Sequence, residues 1–100
     1  MNKLNDTNTI LPDEGIYQII ETSPSKNFHR LFKKFRFCED LKVGNRAIWW
    51  HLDDEGKDLT MDLKYGRLTS SIIAGLKISA DRKVIVIDTM NSIYKIERIE

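Results

Sequence analysis

"SPSKNFHRLFKKFRFC", residues 23–38, decides how the rest of this chain is read. It holds five lysines or arginines, one histidine and four phenylalanines. Ser23 followed by Pro24 suits a helix start: a serine hydroxyl accepts from free N–H groups, and proline at the first helical position forfeits no hydrogen bond. Phe28, Leu31, Phe32, Phe35 and Cys38 recur at offsets of three and four. A helix gathers them on one face, over an arc of roughly 120°. Lys26, His29, Arg30, Lys33, Lys34 and Arg36 take the remainder, and Phe37 falls among Lys26, Arg30 and Lys33. A strand reading breaks on "LFKK", where alternation fails. The spacing therefore predicts a basic amphipathic helix. Its end leaves a second option for Phe37, because "FRF" can also be an extended exit that turns this ring inward.

On the N-terminal side, "MNKLNDTNTILP" (1–12) is polar and aperiodic, which predicts a flexible arm. "GIYQIIET" is a β-branched run bounded by Gly15 and Ser23, a first strand. On the C-terminal side the texture changes from Lys42 onward. "LKVGNRAIWWHLDD" is strand-like and "DDEGK" supplies turn residues. "DLTMDLKY" alternates, with Leu59, Met61, Leu63 and Tyr65 on one side. "RLTSSIIAGLKIS" is a further strand, with Gly75 as a bulge or bend. "VIVID" is apolar on both faces, so it needs cover on both. "TMNS" suits a tight hairpin, with Asn91 able to take a positive φ. Short connections at roughly ten-residue spacing imply an antiparallel meander, not parallel βαβ units. The expectation is one α+β domain over 13–100: a small antiparallel sheet or barrel of about five strands, covered or plugged by one basic helix.

Composition narrows the function classes. With 41% hydrophobic and 31% charged residues and a net charge of +1, the chain is neither disordered nor a polycation. Electrostatic work depends on where the charges lie. The single cysteine, Cys38, cannot form an internal disulfide, which favours a reducing, cytoplasmic setting. No apolar run approaches the roughly 20 residues that span a bilayer, so no membrane role is expected. An interfacial role for the basic helix is set aside, because its apolar face is needed to cover the sheet.

The residues "RLTSSI" and "VIVIDTMNSIYKIERI" resemble a pattern of small β-barrel-like proteins from phages and prophages. In that pattern a Thr-Ser pair on one strand precedes a terminal Thr-x-Asn-Ser-x-Tyr-x-aliphatic hairpin. The matching residues are Thr69 and Ser70, then Thr89, Asn91, Ser92, Tyr94 and Ile96. The resemblance covers about a third of the chain. It implies a small barrel-like protein of a mobile element and transfers no catalytic or binding residue.

Catalytic groups are sparse. Cys38 with His29 or His51 can be drawn as a thiolate–imidazole pair, but Cys38 falls on the apolar helix face, where cysteine is a small core residue. Two histidines and one cysteine lack zinc-site spacing. The adjacent Asp53, Asp54 and Glu55 lack the alternation of a calcium loop. No enzyme, metal or cofactor is expected. Binding is better supported. Lys26, Arg30, Lys33, Lys34 and Arg36 can neutralise phosphates, with Phe37 or Trp49 stacking on bases. In "IWWH" a strand sends Trp49 and Trp50 to opposite faces. Trp49 is then either covered by the helix or exposed as an anchor. The reading is a non-enzymatic binding protein that modulates a host macromolecule, protein or nucleic acid, and on the resemblance a defence inhibitor. The alternatives are a nucleic-acid-binding module and a binder of a small nucleotide-like ligand, with a homodimer left open.

Overall fold

Alternation, not a 3.6-residue period, governs residues 34–37. The computed structural model describes residues 3–24, 31–52 and 67–99, and over Lys34–Phe37 the chain is a strand (β4). Phe35 is fully buried, Arg36 is exposed, and Phe37 packs half-buried against the core. The expected basic helix is thus overturned over its described part. Ser23, taken as its cap, is the last residue of a strand, β3 (Tyr17–Ser23). Residues 25–30, which include Lys26, Phe28, His29 and Arg30, lie outside the described residues.

The physical reason lies in "LFKK". Leu31 bridges to Ile19, and Phe32 takes a left-handed φ of 61° while its N–H donates to the Ile19 carbonyl at 2.8 Å. The break in alternation is a turn that feeds a strand. Leu31 and Phe35 both reach the core from either side of this turn, so their spacing of four imitates a helical face. Aromatic residues pack well on a pleated surface, and distant strands supply the partners that override local periodicity.

The other strands are β1 (Leu4–Thr7), β2 (Thr9–Ile10), β5 (Leu41–Lys42), β6 (Arg46–His51), β7 (Arg67–Ser79), β8 (Val84–Thr89) and β9 (Ile93–Arg98). No helix occurs among the described residues, so the architecture is all-β and not α+β. Every ladder is antiparallel. The main sheet has the order β1-β7-β6-β4-β3-β9-β8, and a β7–β8 pairing closes six of its strands into a barrel. Closure removes the unpaired edges that an open sheet exposes. β7, at 13 residues, is long enough to pair with β6 through its first half and with β8 and β1 through its second. Its register against β8 shifts between Ile73 and Gly75, where a bend was expected. β1 and β2 fall within the first dozen residues; β2 pairs with β5 as a separate two-stranded ribbon.

The barrel interior is aromatic on one side and aliphatic on the other. Phe35 stacks between Tyr17 at 6.2 Å and Trp49 at 5.0 Å, with Phe37 edge-on at 5.3 Å. Trp49 meets the edge of Tyr94 at 5.6 Å. Ile73, Leu76, Ile85, Ile87 and Ile96 fill the remainder, and Ile10 and Leu41 of the ribbon join the same core. Edge-on and offset rings add roughly 0.5–1.5 kcal/mol per pair beyond the area they bury.

The terminal hairpin forms as expected, by different chemistry. Thr89 Oγ1 accepts from the Ser92 N–H at 2.9 Å and donates to the Ser92 carbonyl at 2.8 Å. Asn91, which can take a positive φ, does not use it; among the described non-glycine residues positive φ occurs at Phe32 and at Arg82, in the turn between β7 and β8.

Candidate nucleic-acid interface

Strands β4, β6 and β7 lie side by side, and their sequences KFRF, RAIWWH and RLTSSIIAGLKIS contain no Asp or Glu. They carry Lys34, Arg36, Arg46, Arg67 and Lys77. Within these strands, then, a chain of net charge +1 carries cations without carboxylates. Register does the rest. Arg36 is paired with Trp50, and Trp50 with Arg67, which sets the three in one row across three strands. Phe35, Phe37 and Trp49 point into the barrel, so the row faces outward. The Arg67 guanidinium stands 5.7 Å from the Trp50 ring centroid, a cation–π contact. One strand spacing is about 4.8 Å, which puts Arg36 and Arg67 on either side of the indole roughly 10 Å apart.

The neighbouring residues extend this surface. Lys33 is exposed and Lys34 half-buried at the start of β4. Exposed Cys38 donates its backbone N–H to the Ile48 carbonyl, which places it beside the Arg36–Trp50 row. Arg46 spends one guanidinium N–H on the Ser70 carbonyl at 3.1 Å. Ion pairs among the described residues join Lys77 to Asp6, Lys95 to Glu21, and both Arg82 and Arg98 to Asp13. Among the described residues, Lys33, Lys34, Arg36 and Arg67 have no carboxylate within ion-pair distance.

The expected site residues fare unequally. Lys33, Lys34 and Arg36 share the outer surface at β4, and Lys26 and Arg30 lie outside the described residues. Phe37 turns inward, its ring 4.9 Å from Tyr17 and 6.1 Å from Trp49. Trp49 is 0% exposed, so no base reaches its face. The outward tryptophan is its neighbour, Trp50. Trp50 and Arg67 were missed because Ile48, Trp50 and Leu52 look like the more apolar face of their strand. Only the alternation of "FRF" hinted that Phe35 and Phe37 claim the Trp49 side.

Other chemistry finds less support. His51 is paired with Phe35 and Cys38 with Ile48, three residues further along β6, so the register separates the thiol from this imidazole. No cluster of three metal-ligating side chains occurs among the described residues, nor does any helix long and apolar enough to cross a membrane. A groove of about 370 Å³ opens between Asp6, Thr7, Asn8, Val43, Ala74, Gly75 and Leu76. The charged residue among its described lining is Asp6, whose carboxylate repels a phosphate.

The chain matches no protein-family model, no curated protein and no solved structure.

Proposed function

We propose that this protein is a non-enzymatic binding module whose partner is a single-stranded nucleic acid, held on the outer surface of β4, β6 and β7. The observation that carries this reading is the cross-strand row Arg36–Trp50–Arg67. A flat aromatic bracketed by exposed guanidinium groups matches what a single strand presents: a base to stack and phosphates on either side of it. Base–aromatic stacking contributes about 1–3 kcal/mol, and cations along a groove or face track the backbone. A duplex fits less well, because its bases are already stacked on one another and leave no face for Trp50. The mobile-element origin and the defence role rest on the hairpin resemblance alone, and the binding reading does not need them.

Titration of labelled oligothymidine and of a matched duplex, at low and at physiological salt, tests the proposal. The expected result is salt-sensitive binding of the single strand, with quenching of Trp emission that disappears in Trp50→Phe. Equal affinity for the duplex, or quenching retained in Trp50→Phe, overturns it.

A further inference from the structure

A second aromatic stands close to this surface under unusual conditions. Phe32 is 63% exposed. Its φ of 61° lies in the left-handed region, which costs a residue with a side chain and which Gly or Asn occupies more cheaply. Among the described residues the turn makes no use of the phenylalanine ring: the core contact comes from Leu31 and the hydrogen bond to Ile19 from the backbone N–H. Strained conformations that persist without structural need cluster at binding sites. Its backbone is tied to β3 by the N–H bond to Ile19 beside the Leu31–Ile19 bridge, and β4 starts two residues later, so the side chain projects from a fixed point of the chain. Lys33 and Lys34 follow directly, and neither has an ion-pair partner among the described residues.

We infer that Phe32 is a second stacking platform for the same strand of nucleic acid. The inference rests on the reading of β4, β6 and β7 as the binding surface. The bound strand then runs along β4 from Phe32, past Lys33, Lys34 and Arg36, to Trp50 and Arg67. Four residues of strand span roughly 13 Å, so the two aromatics engage separate bases, not one. Stacking on Phe32 explains why an exposed aromatic is kept where glycine relieves strain.

The test uses the full chain and oligothymidine of about twelve nucleotides, within the range of site sizes for small barrels, with Phe32→Ala and Phe32→Gly. Both variants are expected to weaken binding about fivefold or more, while the slope of affinity against salt stays that of the wild type, because no phosphate contact is removed. Phe32→Gly is expected to melt at a higher temperature than Phe32→Ala, since it relieves the backbone. Weak binding in the more stable variant then separates loss of stacking from loss of fold. If the wild type binds and both variants bind within twofold of it, the Phe32 inference fails and the surface reading stands. If the salt slope falls with Phe32→Ala, Phe32 acts by placing Lys33 and Lys34, and the stacking role is overturned. No binding by the wild type removes both.

Discussion

Replacing Arg36 and Arg67 together with glutamine probes the electrostatics of the surface without touching the barrel interior. Both side chains are exposed and neither is ion-paired among the described residues. Surface changes of this kind shift stability by about 0.5 kcal/mol or less, and the cation–π contact of Arg67 with Trp50 adds at most about 1 kcal/mol at an exposed site. Binding responds far more strongly. Each phosphate neutralised on a single strand contributes about 0.7 to the slope of log affinity against log salt. Four contacts, from Lys33, Lys34, Arg36 and Arg67, give a slope near −2.8. Affinity then falls about 50-fold between about 50 mM and about 200 mM salt. Arg36→Gln with Arg67→Gln leaves two contacts, a slope of about −1.4 and a loss of about sevenfold over the same range. Fluorescence anisotropy of a labelled oligothymidine, repeated at stepped salt, reads both slopes. A double variant with the wild-type slope refutes the placement of phosphates beside Trp50.

Three further predictions concern the fold that presents the surface. Phe35→Ala opens the aromatic cluster and is expected to cost about 3–5 kcal/mol, whereas Arg36→Ala next to it stays within about 0.5 kcal/mol; paired denaturant titrations check the contrast, and equal costs contradict the alternation of β4. Thr89→Ala strips the terminal hairpin of its side-chain hydrogen bonds to Ser92 and should lower stability by about 1–2 kcal/mol, read as a shift in urea midpoint. Burial pushes the Tyr17 hydroxyl above its ordinary 10.0, against the opposing pull of Arg98. The fold favours the protonated form, so this contribution is complete below about pH 10 and is lost as pH rises through the raised folded value. Tyr17→Phe should flatten the decline measured by thermal unfolding across that window, and an unchanged decline rules Tyr17 out as its source.

How much of this was legible in the chain depended on how local the deciding contacts are. β3, β8 and β9 follow from short β-branched or alternating runs between turn residues, and Gly75 marks a real irregularity. Residues 31–38 are different. Their offsets of three and four satisfy a helix, and nothing within the segment says that Phe35 will be held between Tyr17 of β3 and Trp49 of β6. Those partners are distant in sequence, and the stacking they provide outweighs a local period. The proposed binding surface was half visible for the same reason. Lys33, Lys34 and Arg36 announce themselves by charge. Trp50 and Arg67 join them only through the register of β4, β6 and β7, and which of two adjacent tryptophans faces out depends on that register. Once the helix reading is dropped, the pairing of Phe37 with Trp49 and of Arg36 with Trp50 places Trp49 inside and Trp50 outside.

Cys38 gives the most direct test of where a strand binds. It is the chain's single cysteine, it is exposed, and it lies on the outer surface beside Arg36 and Trp50. The rate of its reaction with a neutral maleimide, measured with and without saturating oligothymidine at low salt, reports occupancy of that surface with no residue altered. The account predicts that the oligonucleotide slows labelling severalfold and that high salt restores the rate. An oligonucleotide that binds while Cys38 reacts at its original rate places the strand elsewhere on the barrel and contradicts the account.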